Sequence, residues 1–122
     1  MFRVEHFDIA ADDPERAMKF YTDVFGWKIE KWEGPMDYWL VTTGPDDQPG
    51  INGGIAKRKN PSESTTNTIG VASVDEYTAK ITEADEKILQ SKMPIPDVGY
   101  FALCQDTEGN VFGIIEENTE AK

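Results

Sequence analysis

Asp13-Pro14-Glu15-Arg16-Ala17-Met18-Lys19-Phe20-Tyr21-Thr22-Asp23-Val24-Phe25-Gly26 decides how the first half of the chain folds. Ala17, Phe20, Tyr21, Val24 and Phe25 recur at i, i+3, i+4, i+7 and i+8, which lays one apolar stripe along a helix over residues 14–25. Asp13 is placed to cap it, because its carboxylate can accept from the free N–H groups of the first turn. Pro14 fits the first helical position, where a missing N–H costs nothing. Gly26 can end the helix in a left-handed conformation. Such a stripe must bury against something, and a sheet is the simplest partner.

The flanks supply the sheet. Upstream, Val4, His6, Asp8 and Ala10 alternate with Phe7 and Ile9, the period of a strand. Downstream, residues 27–32, 38–43 and 51–57 read as strands separated by Gly34-Pro35, Gly44-Pro45-Asp46-Asp47 and Pro49-Gly50. Residues 57–66 are polar and aperiodic and read as a linker, with Lys57-Arg58-Lys59 as a solvated turn. The order then repeats. Residues 68–74 read as a strand, and Asp75 can cap a helix over residues 75–84 with Tyr77, Ile81 and Ala84 inward. Residues 87–91 form a strand that Pro94-Ile95-Pro96 should break. Residues 100–105 and 110–116 form a hairpin about Asp106-Thr107-Glu108-Gly109. Phe7-Asp8-Ile9-Ala10 matches Ile69-Gly70-Val71-Ala72 at a spacing of sixty-two residues. The expected fold is α+β, with two βαβββ modules of about residues 1–58 and 67–118 in a single domain over residues 1–122.

Composition narrows the function. Twelve basic and twenty-three acidic residues give a net charge of −11, which repels phosphate backbones and argues against a nucleic-acid partner. A single cysteine, Cys104, allows no intrachain disulfide and suits a reducing cytoplasm. No apolar run is long enough to cross a membrane, and the N-terminus lacks a signal-peptide pattern. Cys104 sits in an apolar strand and reads as a buried, inert thiol.

Three stretches resemble the vicinal oxygen chelate superfamily of glyoxalase I, bleomycin-resistance proteins and extradiol dioxygenases. They are the first strand and helix through Val24-Phe25-Gly26-Trp27, then Gly50-Ile51-Asn52-Gly53-Gly54-Ile55, and last Val98-Gly99-Tyr100-Phe101-Ala102-Leu103 with Asp106-Thr107-Glu108-Gly109-Asn110-Val111-Phe112-Gly113-Ile114. The resemblance covers nearly the whole chain. It implies modules paired into a curved, cup-like, mostly antiparallel eight-stranded sheet with the two helices outside, and a homodimer covering apolar surface and strand edges. Metal-using members place four ligands in the cup. The matching positions here are His6, then Gly53 or Gly54, then Thr68 or Ile69, then Gly113, so one usual ligand of four remains. Glu116 lies three residues beyond Gly113 and should face away. No cofactor and no bound metal are therefore expected.

His6, the one histidine, is a candidate ligand contact, as are Asp8 on the same strand face, Trp39, Asn52 beside the paired glycines, and Phe101. The expected function is metal-free binding of a small organic molecule in the cup. Two other functions fit the resemblance: a metal-dependent lyase or isomerase of the glyoxalase I type, and a drug-sequestering resistance protein. An acidic cup would suit cations. No catalytic residue is assigned.

Overall fold

Two short polar caps set where the helices start. In the computed structural model, which describes residues 2–121, the Asp13 carboxylate accepts from the Arg16 N–H at 3.1 Å, and Pro14 opens α1 (Pro14–Phe25). Gly26 closes it at φ +73°, its N–H donating to the Thr22 carbonyl. The second helix, α2 (Val74–Glu83), starts one residue earlier than expected. Ser73 rather than Asp75 is its cap, the hydroxyl accepting from Glu76 N–H at 3.1 Å. Asp75 instead pairs with Lys92 at 3.0 Å.

The chain divides into two compact units. The first, His6–Thr66, holds most of β1 (Val4–Ala11), then α1, β2 (Lys28–Lys31), β3 (Tyr38–Thr42) and β4 (Asn52–Lys57). Its strands lie in the order β2-β3-β4-β1; β1 and β4 are parallel and the other neighbours antiparallel. Ala11, Val41 and Ile55 are buried, and Phe7, Ile9, Ala17, Met18, Tyr21, Trp27, Ile29 and Trp39 pack around them. Tyr21 stacks flat on Trp27, with ring centroids 4.9 Å apart.

Helix α1 forms where expected, but it does not bury its whole stripe. Ala17, Met18 and Tyr21 meet the sheet, while Phe20, Val24 and Phe25 are 54, 58 and 61% exposed. For Phe20 and Val24 the reason is angular. At roughly 100° per residue they lie on the side of Ala17 away from Tyr21 and Met18, and a sheet contact takes only one side of so wide a stripe. Phe25, by contrast, is the last residue of the helix. Met18 fills the other edge of the contact.

The second unit comprises residues 2–5 and 67–121. Its elements are β5 (Thr65–Gly70, starting just outside it), α2, β6 (Lys87–Ile95), β7 (Gly99–Gln105) and β8 (Val111–Glu117). The order is β5-β8-β7-β6, with β5 and β8 parallel and the rest antiparallel. Val74, Ala102, Cys104 and Ile114 form its buried centre under α2. Burial pushes the Cys104 thiol up, away from the reactive thiolate. Residues 87–95 are one strand, so Pro94 does not break it. β6 is the outermost strand of its unit and carries register irregularities, the two settings that tolerate proline. At the β7–β8 hairpin the Asp106 carboxylate accepts from Glu108 N–H and Asn110 N–H, both at 2.8 Å, and Gly109 takes φ +83°.

The linker is tied down as well. Arg58 donates to Asp12 at 2.9 Å, to the Glu63 carbonyl and to the Ala10 carbonyl, so it fastens residues 58–63 to the end of β1 and is not a solvated cation. In each unit, then, one strand, a helix and three strands follow in that order.

Candidate functional site

Strand alternation puts Phe7 and Ile9 under α1 and turns His6 and Asp8 to the opposite face of the first unit. The parallel register pairs His6 with Asn52 and Asp8 with Gly54. Leu40 of β3 stands beside Gly54, and Tyr38, two residues before it, reaches diagonally over that glycine. A Cβ at Gly54 would collide with the Tyr38 hydroxyl and ring carbons. The missing side chain is what lets the phenol lie there.

The phenol reaches both polar groups of β1. Its hydroxyl donates to Asp8 Oδ1 in a short hydrogen bond and lies 2.7 Å from His6 Nε2. His6 Nε2 is 3.2 Å from the same Asp8 oxygen. Burial first, and then the Asp8 charge and hydrogen bond, push the Tyr38 phenol far above its ordinary value of 10.0, so it keeps its proton. With that proton committed to Asp8, the phenol oxygen can only accept from His6. The His6 tautomer with its hydrogen on Nε2 fits that arrangement, and it would leave a lone pair on Nδ1. The His6 and Asp8 side chains are 34 and 30% exposed, so the cluster touches solvent. Trp32 meets Tyr38 edge-on at 6.0 Å.

Of the residues expected in a site, His6 and Asp8 come together. Asn52 shares their register, but its Oδ1 accepts from Thr43 N–H at 2.9 Å and Thr43 Oγ1 at 3.3 Å, which spends it on the β3–β4 connection. Trp39 follows Tyr38 by one residue and so points the other way, into the cluster under α1. Tyr38 is the member that sequence reasoning did not single out. Its signal was a tyrosine opening the strand that runs antiparallel to Gly53-Gly54.

Phe101 belongs to the second unit, where it repeats the Tyr38 arrangement. Leu103 stands beside Gly113, and Phe101, two residues earlier, covers it. A Cβ at Gly113 would lie 2.5 and 2.7 Å from the Phe101 ring and 2.9 Å from Thr68 Oγ1. Thr68 is the parallel partner of Gly113, as Asp8 is of Gly54. The helix caps agree, Asp13 matching Ser73. Over the first strand and helix cap of each unit the internal spacing is therefore sixty residues, one pleat less than the sixty-two read from sequence. Gly53 and Ile69 fall on the other faces of their strands. Glu116 also faces away from Gly113, accepting from Val74 N–H at 3.0 Å at the start of α2.

Comparison with known proteins agrees with this architecture. A model of the Glyoxalase/Bleomycin resistance protein/Dioxygenase superfamily matches residues 3–114. A glyoxylase-like domain-containing protein of Didymella fabae is 30% identical over 117 residues, covering 92% of this chain and 91% of that protein. Among solved structures, a hypothetical protein of Bacillus halodurans superposes with a TM-score of 0.75 at 14% identity, covering 99% of this chain and 98% of its own. Methylmalonyl-CoA epimerase from Mycobacterium tuberculosis gives a TM-score of 0.70 at 10% identity, over 93% and 87% of the two chains. The two structures share the fold with this chain. The extent of the family match and the relative from Didymella fabae show that the chain belongs to the Glyoxalase/Bleomycin resistance protein/Dioxygenase superfamily.

Proposed function

We propose that this chain binds a small organic molecule, without a divalent metal, at the face carrying His6, Asp8 and Tyr38. The observation that carries the reading is the Tyr38 phenol, lodged over Gly54 and bonded to both Asp8 and His6. A protonated phenol is a poor metal ligand, and Nε2 of the lone imidazole is turned toward it. Among the described residues no three His, Cys, Asp or Glu side chains come together to hold a metal ion. The donor set does not fit a catalytic divalent metal, which needs at least three protein ligands.

The free Nδ1 of His6 would accept from a hydroxyl or acid proton of the guest and, once protonated, donate to a carbonyl or carboxylate. The net charge of −11 favours neutral or cationic guests over anionic ones. A second copy is expected to cover apolar surface such as Phe20, Val24 and Phe25. Sedimentation of the purified chain should then give twice 13.7 kDa, and a monomer at micromolar concentration would remove that part of the proposal.

Calorimetric titration with a panel of small aromatic alcohols, acids and cationic drugs tests the main reading. At least one should bind, and His6→Ala should weaken it about tenfold with the far-ultraviolet dichroism unchanged. Near-stoichiometric nickel, zinc or iron after dialysis would overturn the metal-free reading in favour of a glyoxalase-type lyase or isomerase.

A further inference from the structure

Thr68 is 2% exposed, and its Oγ1 has no hydrogen-bond partner among the described residues. Buried hydroxyls are nearly always paired, so an orphan calls for an explanation. Valine has the same shape without the polar atom, and folding alone would favour it at this position. In the first unit the equivalent polar side chain, Asp8, is satisfied by the hydroxyl of Tyr38. In the second unit that covering ring is Phe101, which has no hydroxyl to offer.

An aromatic ring lies beside the orphan. Gly113 has no side chain, and the atoms nearest to where one would stand are those of the half-buried Phe101 ring and the Thr68 hydroxyl. The surface facing this volume, opposite α2, is apolar through Leu103 and Ile115, which alternate with the core residues Ala102, Cys104 and Ile114. Glu5 adds one charge on this face, its carboxylate lying over Gly70, two residues beyond Thr68. That carboxylate repels anions.

We propose that Phe101 is a movable ring over a binding subsite in the unit of residues 67–121. Gly113 is the floor and the Thr68 hydroxyl the polar anchor. The guest is a neutral, planar molecule about the size of one aromatic ring, carrying a single hydroxyl or carbonyl. Rotation of Phe101 about its own side-chain bonds exchanges one ring for another, so the apolar contacts are conserved. The guest then adds the hydrogen bond that Phe101 cannot make, and that difference drives binding.

Phenol is the probe, uncharged at neutral pH because a phenolic proton leaves only near about pH 10. Toluene has the same shape without the hydroxyl. Methyl signals of Thr68, Leu103 and Ile115 are followed by nuclear magnetic resonance in the full chain. Phenol should shift them saturably and bind about tenfold more tightly than toluene, the effect of one hydrogen bond in a closed site. Thr68→Val, read at Leu103 and Ile115, should abolish that preference, and Thr68→Ser should retain it. Equal affinities for phenol and toluene in the wild type would overturn the anchor. Saturable phenol binding in Phe101→Ala but not in the wild type would show a fixed plug and overturn the movable ring. Absence of a saturable shift in every variant, as for a hydroxyl bonded to a permanent internal water, would overturn the subsite as a whole.

Discussion

Tyr38→Phe removes one oxygen and leaves the ring over Gly54 in place, so its effect isolates the hydrogen bonds of the first unit. The hydroxyl serves Asp8 and His6 together. A hydrogen bond to a charged group contributes ~1.5–3 kcal/mol when it is shielded from solvent. Here the Asp8 and His6 side chains are 30 and 34% exposed, so water recovers part of the loss. The expected destabilisation is about 1–2 kcal/mol, a sizeable share of the ~5–15 kcal/mol that holds a domain of this size. Urea unfolding followed by far-ultraviolet circular dichroism reads it directly. With a slope of ~1–3 kcal/mol per molar, the midpoint should fall by roughly 0.3–2 M with the slope unchanged. Asp8→Ala and the double variant complete a cycle, whose coupling should carry most of the Tyr38→Phe effect. An unmoved midpoint, or a coupling near zero, would refute the claim that the phenol is bonded to Asp8.

Alkaline pH acts on the same group. Folding raises the Tyr38 phenol above its ordinary 10.0, so its contribution is complete below that value and is lost as pH rises through the folded one. The stability gap between wild type and Tyr38→Phe should therefore shrink by up to about 1.4 kcal/mol per pH unit above 10, and a constant gap between pH 9 and 11 would contradict this. At the β7–β8 hairpin, backbone N–H groups of Asn110 and then Glu108 hold the Asp106 carboxyl below its usual range. The turn should loosen only as pH falls below 3.8 toward that lower value, and Asp106→Ala should speed hydrogen exchange at Glu108 and Asn110 already at neutral pH; unchanged exchange would speak against it. Gly54→Ala puts a methyl against the Tyr38 hydroxyl and should cost about 1–3 kcal/mol. In that background Tyr38→Phe should have little further effect, because the phenol has already been displaced; an undiminished effect would mean that the ring does not lie over Gly54.

Most of the fold was legible because local chemistry and tertiary packing agreed. Asp13-Pro14 and Gly26 bound α1 as their residue types dictate, and the Asp106–Gly109 turn closes its hairpin in the same way. The departures arose where tertiary context chose between local options. Ser73 and Asp75 can each cap a helix, and Val74, 0% exposed at the first turn, selects Ser73. Pro94 breaks a central strand but not an outermost one. The site was half legible. His6 and Asp8 share a face by strand alternation alone, whereas Tyr38 joins them through the register of β3 on β4 and a glycine that makes room, and no spacing in the sequence encodes either. Trp39 and Asn52 were plausible by type, but one is turned under α1 and the other is bonded to Thr43.

The placement of Trp27, Trp32 and Trp39 has an optical consequence. All three tryptophans fall within His6–Thr66, and none within residues 67–121. Indole emission therefore reports the melting of one unit, while far-ultraviolet dichroism averages α1 with α2 and all eight strands. If the chain denatures as one cooperative body, the two curves superimpose at every urea concentration. If the tryptophan-free unit opens first, dichroism will fade while the emission spectrum is still that of the native protein. The separation of the curves measures how strongly the two units depend on each other.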